Sequence, residues 1–246
     1  MGLKEKLDSL NTPEDVIDTV GSLLGKGHEL VDRLSEYSPY VRVANNLMNK
    51  RREHKCKQFL QGLAIKVFSR EDITSDELQK LNGLLEKDTN RILILDILEE
   101  ATKTVSDVSS KLLGIIAGQV MEGHRTFDYN DWILINGLKN MNDWDLNNFK
   151  KVYSYFERYP EEEAVNAQCV HLDLPLNAFA GEVDILKPRL KQDEEYKMFK
   201  SSLLRISSLQ VLSTGEMRII DAGEPFVRSK VGYELYDLIK LLDELY

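Results

Sequence analysis

Apolar residues recur at intervals of three and four over most of the first 158 positions of this 246-residue chain, and then the pattern changes. Such intervals place side chains on one face of an α-helix and exclude a continuous sheet through that region. Val16, Ile17, Val20, Leu23 and Leu24 make one stripe, which Leu30, Val31 and Leu34 resume beyond Gly25 and Gly27. The spacing predicts further helices through Val43 to Val67, Leu78 to Leu85, Asn90 to Ala101 and Val105 to Met121, and two between Thr126 and Tyr159. Start signals accompany them. Thr12-Pro13-Glu14-Asp15 combines a hydroxyl cap, a proline at the first helical position and acids in the first turn. Thr74-Ser75-Asp76-Glu77 is a capping box. The segment around Leu112, Ile115 and Ile116 is apolar on most sides, and Gly114 and Gly118 predict close helix packing there.

Beyond Tyr159-Pro160-Glu161-Glu162-Glu163, a proline-containing acidic linker, the periods shorten. Val170, Leu172 and Leu174 alternate with Cys169, His171 and Asp173, which predicts a half-buried strand. A helix with Met198, Phe199, Leu203, Leu204 and Ile206 follows Asp193. Leu209 to Leu212 then reads as a strand, Ser213 to Glu216 as a turn, Met217 to Ile220 as the returning strand, and Lys230 to Tyr246 as a last helix. The expected architecture is mainly α. A multi-helix bundle over 1–158, opened by an amphipathic segment over 1–48, leads through a linker with one short strand over 159–192. A small α+β domain over 193–246 ends the chain.

Composition narrows the functional classes. With 42% hydrophobic residues the chain can build a core, so wholesale disorder is excluded. Acidic residues outnumber basic ones by 41 to 32, a net charge of −9, which argues against a surface-wide grip on a nucleic-acid backbone. Cys56 and Cys169 are too few and too far apart for a secreted disulfide framework, so a reduced, cytoplasmic setting is expected. Met1 to Lys6 does not lead into a secretory signal, and Lys6 stands where N-myristoylation wants a hydroxyl. No stretch approaches the roughly 20 apolar residues of a spanning helix.

Candidate chemistry is sparse. Gly21 to Gly27 superficially resembles a phosphate loop, but its spacer is short and Gly27 replaces the required hydroxyl, so a helix interruption is expected. Cys169, His171 and Asp173 would share one strand face. An ordinary polar face is the leading reading, with a metal site or a Cys–His nucleophile as lesser ones. Asp143 and Asp145 flank Trp144 at a helix junction, where capping is favoured over acid–base work. No metalloprotease, serine-hydrolase or calcium-loop signature occurs. Neither an enzyme nor a cofactor or metal is expected. Lys50, Arg51, Arg52, Lys55 and Lys57 form the one dense basic segment, and several of them share a helix side. A solvated face is the plain reading, and contact with a charged partner or an anionic membrane surface is the functional one.

Leu203 to Leu212, the hairpin around Gly215 and Ser229-Lys230-Val231-Gly232-Tyr233-Glu234-Leu235 resemble a winged-helix unit, with Ser229 in a position where threonine is usual. The resemblance implies a recognition helix and a wing for DNA, with Lys197, Lys200, Arg205 and Arg218 as the contacts. Those cations are few, and Asp193, Glu194 and Glu195 stand at the helix start, which favours packing or protein contact instead. The order of parts, with Arg51-Arg52 before Phe59-Leu60-Gln61-Gly62-Leu63 and with Ile133-Leu134-Ile135-Asn136-Gly137-Leu138, resembles bacterial abortive-infection and phage-defence accessory proteins. That resemblance implies a role in sensing infection or disturbing the host membrane. The expectation is a non-enzymatic interaction or effector protein, bacterial or phage-borne, acting through oligomerisation and contact with a partner or the inner membrane face. A winged-helix transcriptional regulator is the alternative.

Overall fold

The computed structural model describes residues 50–67, 88–123, 127–176, 182–215 and 225–244. The expected amphipathic segment over 1–48, the capping box at Thr74, the helix through Leu78 to Leu85 and the strand over Met217 to Ile220 lie outside them. Two compact units make up the chain, 1–128 and 129–246. The stretch over 159–192 belongs to the second. Among the described residues the protein is mainly helical, with one small three-stranded antiparallel sheet.

In the first unit, α1 (Lys50–Val67), α2 (Asp88–Thr102) and α3 (Asp107–Met121) pack together, with α1 and α3 paired most extensively. Two glycines make that pairing close. A Cβ on Gly62 would collide with the Lys111 carbonyl, and one on Gly114 with the Phe59 carbonyl, so the two backbones meet where no side chain fits. Leu112, Leu113, Ile115 and Ile116 are each fully buried, as expected for a helix that is apolar nearly all round. Ser106 caps α3 by accepting from the Ser109 N–H at 3.2 Å. Buried hydroxyls close the α2–α3 turn. Thr104 Oγ1 and Ser110 Oγ lie 2.6 Å apart, and both also reach the Ala101 carbonyl.

The second unit runs α4 (Tyr129–Asn140), α5 (Asp143–Arg158), β1 (Ala164–Val165), α6 (Ala167–Leu172), α7 (Glu182–Leu190), α8 (Glu194–Ser208), β2 (Ser213–Thr214), β3 (Phe226–Val227) and α9 (Lys230–Glu244). The sheet order is β1-β3-β2. Val165 pairs with Phe226 on one side of β3 and Thr214 pairs with Phe226 on the other. Tyr153 of α5 sits at the centre, 1% exposed, stacked on Phe149 at 4.6 Å and edge-on to Phe156 and Tyr233. Its hydroxyl accepts from the Ser229 N–H at 3.2 Å. Gly232 leaves it room, since a Cβ there would strike that hydroxyl.

Two expected strands are corrected. Residues 167–172 form helix α6, because Asn166 Oδ1 accepts from the Cys169 N–H at 2.9 Å and caps a helical turn. Cys169 and Val170 are both buried, which alternation would not allow, and Asp173 ends the helix in the left-handed region at φ 53°. Residues 209–212 form a turn. Gln210 adopts φ 63°, and Val211 and Leu212 plug the core side by side before the strand begins at Ser213. Short alternating runs carry too little signal to outweigh a cap.

Gly114→Ala should destabilise the first unit by about 2–3 kcal/mol through overpacking against a carbonyl that cannot move away. Urea unfolding followed by circular dichroism measures it as a lowered midpoint.

Candidate functional site

Helix α5 starts with a reciprocal cap. Asn142 Oδ1 accepts from the Asp145 N–H at 2.9 Å, and Asp145 Oδ2 accepts from the Asn142 N–H at 3.0 Å. Asp145 is almost fully buried, and its other oxygen accepts from Ser202 Oγ of α8 at 2.8 Å, while Arg205 of α8 pairs with Oδ2. The expected capping role of the Asp143–Asp145 junction thus extends, at Asp145, to joining two helices.

From that start, Trp144, Asn148, Lys151, Tyr155 and Arg158 follow one another at intervals of four and three along one side of α5. They line a groove of about 590 Å³, with Val170 and Asp173 of α6 also contributing to its lining. Arg158 pairs with Asp173, so the left-handed cap of α6 also neutralises this end of the groove. Lys150 pairs with Asp243 of α9. Lys151 lies 5.8 Å from the Phe199 ring, and no carboxylate among the described residues pairs with it. Tyr155 donates to the Leu174 carbonyl at 2.7 Å, and burial pushes its phenol well above its ordinary value. Asn148 is 2% exposed, and its Nδ2 finds no acceptor among the described residues.

A second surface adjoins at Trp144. The solvent side of α8 carries Lys197, Met198, Ser201, Leu204 and Arg205. Trp144 is 43% exposed and Met198 55%, side chains that normally seek cover. The charges on this face are engaged locally, Lys197 with Glu194 at 2.5 Å and Arg205 with Asp145.

The residues singled out from sequence are dispersed. Lys55 is 3% exposed, its Nζ donating to Asp107 Oδ1 at 2.6 Å and to the Val105 carbonyl at 3.1 Å, so its charge is spent inside the first unit. His54 reaches the other Asp107 oxygen at 2.7 Å. Burial raises the Asp107 carboxyl, but hydrogen bonds from Lys55 and His54 outweigh it, and the net shift is downward. Lys50, Arg51, Arg52 and Lys57 belong to α1, and their side chains fall outside the described ones. Lys200 is half-buried on α8, and Arg218 lies outside the described residues.

Cys169, His171 and Asp173 do not share a face. Cys169 is buried, and burial above all pushes its thiol up to about 12. His171 packs against Tyr196 at 5.3 Å and Phe199 at 5.8 Å, with Nε2 3.4 Å from Asp193 Oδ2. Asp173 turns to Arg158. Among the described residues no group of three or more histidines, cysteines or acids could hold a metal ion. No described helix is long and apolar enough to cross a membrane.

Sequence reasoning missed the groove and Arg228. The Arg228 guanidinium donates to the carbonyls of Phe156, Tyr159 and Pro160 at 3.0–3.3 Å and stacks 4.7 Å from the Phe156 ring, closing the end of α5. The groove had a sequence signal, the Trp144 to Arg158 stripe, overshadowed by the stronger apolar stripe on the same helix. Compared with protein-family models, curated proteins and solved structures, the chain matches none of them.

Two outcomes follow from these geometries. In native protein Cys169 should resist alkylation at neutral pH and react once urea unfolds the chain, read by peptide mass mapping. Asp107 has a folded value below its unfolded one, near 3.9. Its contribution is therefore present above that pH and disappears as pH falls through the folded value. Asp107→Asn should lower the urea midpoint at pH 7, and the gap from the native chain should close below about pH 4.

Proposed function

We propose that this chain is a non-enzymatic interaction protein whose second unit is a winged-helix-like module used for protein contact. The element order supports the module. A strand, helices, the long helix α8, a second strand, a connecting segment and a third strand follow in turn, and the sheet runs β1-β3-β2. On this reading α8 takes the place of a recognition helix.

The observation that carries the protein-contact reading is the solvent face of α8. Met198 and Leu204 are exposed on it, Trp144 adjoins it, and Glu194 and Glu195 stand at its start. A helix entering a major groove needs cations free to meet phosphates. Here Lys197 is held by Glu194 and Arg205 by Asp145. DNA binding stays the second reading, because the element order favours it while the charges do not.

Within this proposal the protein is a cytoplasmic component of bacterial or phage-borne anti-phage defence. It self-associates or holds a partner protein, and the basic run that opens α1 meets an acidic surface or the inner face of the membrane. The likeness in the order of parts supports the defence role. The run of Lys50, Arg51, Arg52 and Lys57 supports the charged contact.

Sedimentation of the full chain, with duplex DNA titrated in parallel, tests this reading. Self-association should weaken about tenfold in the Met198→Glu, Leu204→Glu double variant, a loss of about 1.4 kcal/mol. DNA binding with a steep salt slope, abolished by Lys200→Glu, would replace this reading with the regulator.

A further inference from the structure

We infer that the groove along α5 binds an extended peptide carrying one apolar side chain and, three residues away, one carboxylate. This rests on reading the second unit as a protein-interaction module. It goes further by naming the ligand chemistry and a surface other than the α8 face.

The spacing comes from the helix. Trp144 and Lys151 lie seven residues apart on α5, and a rise of 1.5 Å per residue separates them by about 10.5 Å along the axis. An extended chain in the polyproline II conformation covers nearly that distance in three residues at roughly 3.1 Å each, and its three-residue turn returns the third side chain to the same side. An apolar side chain against the half-exposed Trp144 ring therefore sets a residue three positions away beside Lys151.

The charge comes from elimination among the groove's cations. Lys150 is met by Asp243 and Arg158 by Asp173, while Lys151 has no carboxylate partner among the described residues. Among the described residues the groove thus holds one cation with no acid beside it, Lys151, at its middle. One carboxylate satisfies it. A strand of phosphates would bring one negative charge per nucleotide alongside Asp173 and Asp243, with one cation to receive them.

The third element is Asn148, between Trp144 and Lys151 on the same stripe. It is nearly fully buried, and its Nδ2 lacks an acceptor among the described residues. A buried donor left without a partner carries an energetic penalty that a well-placed acceptor removes. Nδ2 exposes almost no surface as it stands, and turning the Asn148 amide outward lets a main-chain carbonyl between the two anchored side chains supply one. A volume of about 590 Å³ suits a short segment and falls within the usual range of ligand sites, about 300–1,000 Å³.

The test uses the full chain and an array of short glycine–serine peptides, each with one leucine and one aspartate at varied spacing, read by fluorescence anisotropy. Oligothymidine serves as the nucleic-acid probe. Binding should peak at a spacing of three and weaken about tenfold when asparagine replaces the aspartate. Lys151→Glu alters an exposed side chain, and it should invert the preference so that a lysine-bearing peptide binds instead. Trp144→Ala should weaken every peptide alike. The inference is overturned if spacing has no effect, if Lys151→Glu keeps the preference for acid, or if oligothymidine outcompetes all peptides. If the array fails while Met198→Glu, Leu204→Glu still weakens self-association, the groove assignment alone falls. If both fail, so does the interaction reading.

Discussion

A carboxylate removed from water must be satisfied by its neighbours, and Asp145 shows what that requirement can organise. One of its oxygens completes the cap of α5 and pairs with Arg205 of α8, and the other takes a hydrogen bond from Ser202 of α8. Start of one helix and flank of another are thereby held in one geometry. Trp144, next in sequence, is placed at the meeting point of the groove and the α8 face. Removing the carboxylate would leave the Ser202 hydroxyl and the Asn142 N–H without their partner at the same time, a costlier change than losing an exposed cap.

The remainder of the second unit is organised around an aromatic centre. Tyr153 packs among Phe149, Phe156, Tyr233 and Tyr236 while its hydroxyl meets the turn before α9. A large ring with a polar tip suits this place, because the ring fills volume and the hydroxyl satisfies a backbone N–H. The first unit solves its packing differently. Gly62 and Gly114 bring two backbones together, and the apolar residues of α3 fill the space around that contact.

Several of the described cations are taken up by acids within the fold. Lys55 is buried against Asp107, Arg205 joins Asp145, Arg158 joins Asp173, and Lys240 joins Glu157 at 2.6 Å. Each pair serves the fold before it serves a ligand. The exposed pairs among them, Arg158–Asp173 and Lys240–Glu157, contribute little stability individually, but all four remove charge that a nucleic-acid reader would keep available. Among the described cations of the groove Lys151 alone has no acid beside it, and the chemistry proposed for the groove follows from it.

Helix content was legible in the sequence because a helix needs only local information: spacing, caps and breakers. The stripe in α3, the helix pair after residue 126 and the close approach at Gly114 all follow from residues near one another. Residues 168–172 and 209–212 misled for the complementary reason. Their alternation was short, and the Asn166 cap and the buried seats of Val170, Val211 and Leu212 depend on the rest of the fold. The site was hardly legible at all. Which lysine finds an acid, which amide is left without an acceptor and which tryptophan meets a groove are decided by contacts between residues far apart in the chain. By itself the sequence determined where turns of helix would form and which faces would be greasy. The tertiary structure alone decided which charges were consumed internally, because pairing depends on distances that local spacing does not encode.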